Sequence, residues 1–165
     1  MNGIQTQFTQ ISRSMAHTEQ IGARLGNLLQ QGDVLCLSGE LGAGKTALAC
    51  GIVAGWGALV PATSPTFVLI HEHQRASDAA RLQHIDAYRL ERPEDAALLG
   101  LEDIFANGSA VVIEWAERVE QWLPADHVWI DFDFVADDEQ ARQLTFVARG
   151  ARSADLLAAF RAQEG

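Results

Sequence analysis

Residues 34–53 constrain this chain more tightly than any other stretch. Val34-Leu35-Cys36-Leu37 is a short unbroken apolar run, and it leads straight into Gly39-Glu40-Leu41-Gly42-Ala43-Gly44-Lys45-Thr46. A run that short and that apolar suits a strand buried on both faces, as in a parallel sheet covered by helices. The eight residues match G-x-x-x-x-G-K-[ST], and a helical pattern follows from about Lys45 to Val53, so the motif has the strand-to-helix context it requires. Glycines let the backbone curl until successive N–H groups point into one concavity, and the helix N-terminus adds partial positive charge beneath it. Lys45 is placed to reach β- and γ-phosphates as a point charge, and the Thr46 hydroxyl to ligate Mg2+. The stretch Gly39 to Thr46, with Ala47 next to it, therefore reads as a cradle for ATP or a close relative, bound as its magnesium complex. Glycine makes up ~7% of average protein, so the four fixed positions arise by chance in roughly one such chain in a hundred or fewer; the strand-helix context makes an accidental match rarer still.

The rest of the chain alternates in the α/β manner. Thr6 to Ile11 reads as a first strand, and Thr18 as the cap of a helix with Ile21, Leu25, Leu28 and Leu29 at helical spacing, ending near Gly32. Gly55, Gly57 and Pro61 break the second helical pattern, and Ala62-Thr63-Ser64-Pro65 is a polar loop. Phe67 to Glu72 and Leu82 to Tyr88 read as strands, and the short polar connection between them, Arg75 to Ala80, suits an antiparallel pair. Pro93 starts a helix with Ala96, Leu98 and Leu99 apolar, Ala110 to Ile113 is a second buried strand, Val128 to Val135 and Gln143 to Ala148 form a hairpin, and a last helix runs from about Ser153 to Ala162. The expected fold is a single α/β P-loop domain over residues 1–165, with a mixed, mainly parallel central sheet flanked by helices.

Bulk properties narrow the function. A chain of 165 residues, 48% hydrophobic, builds one core but not two ordinary ones. Its formal charge of -10 repels phosphate backbones and anionic lipid, which argues against a stand-alone nucleic-acid binder or a membrane-surface protein. The two cysteines, Cys36 and Cys50, sit inside apolar segments without zinc-cage or disulfide spacing and read as buried thiols in a reducing compartment. With no basic leader and no apolar run of membrane-spanning length, a cytoplasmic protein is expected.

A magnesium site also calls for a carboxylate at the end of a neighbouring strand, and two are available. Glu114 follows four consecutive apolar residues, as the acidic end of a Walker B strand does, and is assigned the metal. Asp86, in His84-Ile85-Asp86-Ala87-Tyr88, would orient or deprotonate the attacking water; the two roles are exchangeable at this level. Against these stands the plainer reading of strand-end carboxylates that cap a loop or pair with an arginine. His71, His73, His84 and Asp86 also offer a minor alternative, a zinc site across a hairpin.

The P-loop, Ser64-Pro65-Thr66-Phe67, His84-Ile85-Asp86-Ala87-Tyr88-Arg89-Leu90 and Glu114-Trp115, in this order, resemble the TsaE family, the bacterial ATPases of tRNA threonylcarbamoyladenosine biosynthesis. The resemblance covers about residues 10 to 135. It implies a small, weakly active ATPase that joins TsaD and TsaB in N6-threonylcarbamoylation of adenosine 37 of tRNA, with nucleotide at the contact with TsaD. By motif, it implies that Lys45 and Thr46 bind phosphate and Mg2+, Glu114 completes the metal site, Asp86 supports hydrolysis, Ser64 to Phe67 with Thr66 sense the γ-phosphate, and Trp115 lies close to the nucleotide. tRNA would be met only through the complex, consistent with the acidic composition. The chain departs from the family in Ala47, where a second threonine is frequent and whose loss implies slower turnover, and in Glu40, where aspartate is frequent.

Two other classes compete. A small-molecule kinase would need an arginine-bearing lid; Arg89 and Arg92 lie near Asp86, but no arginine-rich insertion is apparent. A non-hydrolytic switch, in which nucleotide occupancy alone forms a partner surface, fits the lack of an obvious arginine finger or glutamine motif. A GTPase is disfavoured because N-K-x-D is absent. Ser12 and Thr18 are guesses for base contacts.

Overall fold

The structure is a computed structural model that describes residues 6–62, 69–92 and 94–164. All its strands join one seven-stranded sheet. They are β1 (Gln7–Ser12), β2 (Val34–Gly39), β3 (Ile70–Gln74), β4 (Arg81–Asp86), β5 (Ala110–Glu114), β6 (Val128–Val135) and β7 (Asp138–Ala148), in the spatial order β1-β7-β6-β2-β5-β4-β3. The central block β6-β2-β5-β4 is parallel throughout, and antiparallel strands complete both sides, β7 and β1 beyond β6 and β3 beyond β4. The mixed sheet and the antiparallel β3–β4 and β6–β7 pairs agree with the sequence reading. The fully buried β2 core and β5 explain the unbroken apolar runs, since helices cover both of their faces.

Helices α1 (Met15–Leu28), α2 (Lys45–Trp56) and α5 (Ala151–Ala162) cover one face of the sheet. Short helices α3 (Asp95–Leu98) and α4 (Leu101–Ala106), with 3-10 turns at Ala116–Arg118 and Glu120–Trp122, lie against the other. α1 and α2 pack backbone to backbone. A Cβ added at Gly22 would stand 2.3 Å from the Leu48 carbonyl oxygen, at Gly26 2.0 Å from that of Ile52, at Gly51 2.1 Å from that of Glu19 and at Gly55 2.0 Å from that of Ala23. Gly55 thus lies inside α2 and not at a break: the helix runs on to Trp56 and ends at Gly57, in the left-handed region at φ 97°.

Two further expectations change. Ser14, not Thr18, caps α1: Ser14 is extended and its hydroxyl accepts the His17 N–H at 3.0 Å, whereas Thr18 N–H already bonds the Ser14 carbonyl and its side chain is buried against the Ser12 hydroxyl at 2.6 Å. The helix expected from Pro93 is a single short turn: α3 ends at Leu98, which is 86% exposed, and Gly100, at φ 71°, separates it from α4. Pro93, its expected start, lies outside the described residues. α5 is held at its N-terminus by a carboxylate from a distant loop, Asp126, which accepts the N–H groups of Arg152 at 2.9 Å and Ser153 at 3.0 Å. Arg152 then grips buried Asp33 through two bonds of 2.9 and 2.8 Å.

Candidate nucleotide and metal site

Parallel pairing brings the C-terminal ends of β2, β4 and β5 to the same edge of the sheet, where α/β folds bind ligands. Leu37 stands opposite Glu114, and Glu114 opposite Asp86. The loop from β2 to α2 curls as its glycines require, with φ of 80° at Gly42 and 105° at Gly44. Its lysine is folded back into the mouth: Lys45 Nζ donates to the carbonyls of Gly39 and of Glu40, the latter at 2.8 Å, and lies 4.0 Å from the centroid of the Trp115 ring. Burial pulls the Lys45 ammonium below its usual pKa, against the opposing influence of Glu117, Glu114 and Asp86. Lys45 therefore spends its donors on carbonyls at the place where the motif expects phosphate.

Thr46, the second residue of α2, donates its hydroxyl to Glu114 Oε1 at 2.6 Å. Glu114 is only 2% exposed, and its other oxygen lies 2.6 Å from His84 Nε2. Asp86 is half-buried beside it, accepting the Tyr88 N–H at 2.9 Å. Burial raises the Asp86 pKa and the Glu114 charge adds to the rise, while the Tyr88 N–H opposes it. Thr46, Asp86, Tyr88 and Glu114 line a cavity of about 510 Å³ with Lys45, Ala47, Cys50, Arg89 and Trp115. Two hard-oxygen donors in contact, Thr46 and Glu114, with a second carboxylate one strand away, are the donor set that Mg2+ selects, so the residues present fit the ion. Among the described residues no group of three or more His, Cys, Asp and Glu side chains is placed to hold a metal, and the near nitrogen of His84 is taken by Glu114; the zinc alternative gains no support.

Trp115 adopts the left-handed conformation, φ 59° and ψ 41°, uncommon for a bulky residue, and this turns the chain sharply at the end of β5. Its ring meets Tyr88 at 4.9 Å between centroids, and the Arg118 guanidinium lies 5.3 Å from each ring while donating to the Leu90 carbonyl at 3.0 Å. A second cavity of about 260 Å³ adjoins the loop, bordered by Met15, Thr18, Gly44, Ala47, Gln140 and Arg142. Arg142, on β7, donates to the Gly42 carbonyl at 3.3 Å. Thr18 borders this cavity, whereas Ser12 is fully buried with its hydroxyl engaged by Thr18 and the Ser14 carbonyl.

The structure thus gathers Lys45, Thr46, Ala47, Asp86, Glu114 and Trp115, with Leu41, Gly42, Ala43 and Gly44, around one cavity; Gly39 and Glu40 line the outer flank of the same loop. Thr66, with Ser64 to Phe67, lies outside the described residues. Sequence reasoning did not pair His84 with Glu114, nor bring Arg118 and Arg142 to the site. Arg142 is 100 residues from Gly42 and carried no local signal. His84 did carry one, its place two residues before Asp86 on the same strand face.

Comparison with known proteins gives the family and the fold. A family model described as "Threonylcarbamoyl adenosine biosynthesis protein TsaE" matches residues 12–144. The chain is 38% identical over 139 residues to the tRNA threonylcarbamoyladenosine biosynthesis protein TsaE of Streptomyces coelicolor, covering 81% of this chain and 91% of the relative. It is 36% identical over 135 residues to the protein of the same name from Bacillus subtilis, covering 82% of each. The crystal structure of Bacillus subtilis YdiB superposes with a TM-score of 0.80 at 29% identity, over 99% of this chain and 100% of that one.

Proposed function

The chain belongs to the TsaE family of threonylcarbamoyladenosine biosynthesis proteins, and on that footing we propose that it binds and slowly hydrolyses ATP with Mg2+ in support of tRNA N6-threonylcarbamoyladenosine formation. It acts as one P-loop domain in the cytoplasm, with TsaD and TsaB, and meets tRNA only through them. Among the described residues no helix is long and apolar enough to cross a membrane. The observation that carries the reading is the contact of Thr46 with Glu114 at the mouth of a glycine cradle that already holds Lys45.

In this reading the backbone N–H groups from Gly42 to Ala47 receive phosphate oxygens, and Lys45 turns from the Gly39 and Glu40 carbonyls towards them. Mg2+, when bound, screens the phosphate charge and polarises the transferred group. Thr46 and Glu114 would hold that ion. Asp86, at the end of β4, orients or deprotonates the attacking water. Trp115 covers Lys45 and limits water access to it.

The test is ATP hydrolysis by the purified chain alone and with the TsaD–TsaB pair, using Lys45→Ala and Asp86→Ala as controls. Partner stimulation that both variants lose is the expected result. Intact nucleotide binding without stimulation would favour an occupancy switch, and ADP release that depends on an added metabolite would favour a kinase.

A further inference from the structure

We propose that His84 is a positioning residue for Glu114: its Nε2–H holds the carboxylate in the orientation from which Glu114, with Thr46, receives Mg2+. The inference rests on the functional reading above and concerns a residue to which that reading gives no role.

Three observations carry it. Glu114 is gripped at both oxygens, Oε1 by the Thr46 hydroxyl at 2.6 Å and Oε2 by His84 Nε2 at 2.6 Å. His84 is 0% exposed and Glu114 2%, so the bond between them is shielded from bulk water. His84 Nδ1 is also buried and has no hydrogen-bond partner among the described residues. A carboxylate oxygen only accepts, so Nε2 must donate. A hydrogen on Nδ1 would be a buried donor with nothing to receive it, so the ring carries its hydrogen on Nε2.

β-strand geometry places the ring. His84 alternates with Leu82 and Asp86 on the face of β4 turned towards α2, and Leu82 packs in the core beneath α1 and α2. On the adjacent parallel strand β5, Glu114 lies beside Asp86. The ring and the Thr46 hydroxyl therefore hold different oxygens of the same carboxylate, which also borders the cavity. A hydroxyl has one hydrogen to donate and two lone pairs, so Thr46 could offer a lone pair to the metal; the bond from His84 holds the other carboxylate oxygen independently of Thr46. Buried partners of metal-ligating side chains typically change metal affinity by about 10–100-fold when removed.

The experiment measures binding of a fluorescent ADP analogue to the full chain, with Mg2+ and with excess EDTA, for wild type and for His84→Leu, His84→Gln and His84→Asn. The quantity read is the factor by which Mg2+ tightens binding. His84→Leu should shrink that factor about tenfold or more while leaving affinity in EDTA unchanged. His84→Gln, whose amide N–H reaches nearly as far as Nε2, should keep most of it, and the shorter His84→Asn should lose it. A purely structural histidine would change stability or EDTA affinity and leave the Mg2+ factor alone, and that result overturns the proposal, as does an equal loss in the Gln and Leu variants. If His84→Leu does not fold, the Gln and Asn pair decides. Wild type that binds no nucleotide in either buffer would refute the functional reading itself; wild type that binds nucleotide with no Mg2+ factor would refute the metal assignment and this inference alone. Nitrogen-15 NMR of histidine-labelled, nucleotide-free protein gives an independent check: His84 should be the Nε2–H tautomer, and an Nδ1–H tautomer overturns the proposal.

Discussion

Replacing Gly26 by Ala should destabilise the protein, although helix propensity alone argues the reverse. Gly26 lies inside α1, where Ala is favoured over Gly by roughly 0.5–1 kcal/mol. Here the added Cβ would fall 2.0 Å from the Ile52 carbonyl oxygen and 2.8 Å from the Trp56 nitrogen, and real Cβ contacts essentially never come under 3.0 Å. Both atoms are backbone, so no side chain can swing aside; the helices must part locally by about the difference, 3.0 − 2.0 = 1.0 Å. A gap of 0.5–1 Å forfeits roughly a quarter to a half of the dispersion well of each contact across it. Ile21, Leu25, Leu48, Ile52 and Trp56 are buried along this seam and would lose such contacts. Overpacking of a core costs typically about 1–3 kcal/mol, and with the clash at the severe end the net loss after the propensity gain is about 2 kcal/mol. For a domain of this size that lowers Tm by roughly 4–8 °C.

Thermal and urea denaturation followed by circular dichroism would measure it, with Asn27→Ala as the control. Asn27 is the next residue on the same helix but exposed, and its replacement should gain a few tenths of a kcal/mol, about the propensity difference. If Gly26→Ala matched Asn27→Ala in sign, the helices would not be in backbone contact and the glycines would need another explanation.

Asp126→Asn should lower stability at neutral pH by about 1 kcal/mol, the usual worth of a helix cap. Burial works against the Asp126 charge, but hydrogen bonds from Ser153 and Arg152 outweigh it and hold the pKa below its ordinary 3.8; the stabilisation is therefore full above that value and disappears as pH falls through the lower folded value. Wild-type and variant Tm should converge in acid, and a constant gap would refute the electrostatic part of the cap. Among the thiols, Cys36 is fully buried and burial drives its pKa far up, so it should react with a thiol reagent only on unfolding. Cys50, half-buried, raised by burial and by Glu114 and Glu19, lines the larger cavity and should react slowly, with ATP and Mg2+ protecting it; unprotected labelling would place the nucleotide elsewhere. Ala47→Thr should raise turnover without tightening nucleotide binding, as steady-state and binding measurements would separate; an unchanged rate would show that the second hydroxyl is dispensable.

What was legible in the sequence follows from the range of each signal. The strand before the P-loop and β5 were plain because strands covered on both faces must be apolar without a break, and Val34–Leu37 and Ala110–Ile113 are just that. Ser14 was missed as a cap because Thr18 stands nearer the apolar positions, yet only Ser14 has the extended backbone that a cap requires. The reading of Gly55 failed for a different reason. A glycine inside a helix looks like a break until its neighbour is known, and the neighbour, Ala23 on α1, is 32 residues away, 55 less 23. The four glycines repeat at a spacing of four on both helices, a cue for close approach that was present in the sequence and went unused.

The site divides along the same line. The cradle from Gly39 to Thr46 was complete because its parts are consecutive, and its geometry is the motif. The sequence assigned the metal to Glu114 and the water to Asp86 but left the two roles exchangeable, since it places each carboxylate at a strand end and gives no distance between them. Register adds their relative places: with Leu37 opposite Glu114 and Glu114 opposite Asp86, Glu114 is the central of the three strand ends and Asp86 lies one strand further out. Only Glu114 then touches Thr46, while Asp86 is tied to the Tyr88 N–H. Two carboxylates side by side repel, which is part of why the Asp86 pKa is raised, and a divalent cation between them would relieve that repulsion. At this one edge of the sheet the paired carboxylates are thus a cost that a metal-bound phosphate would convert into an attraction.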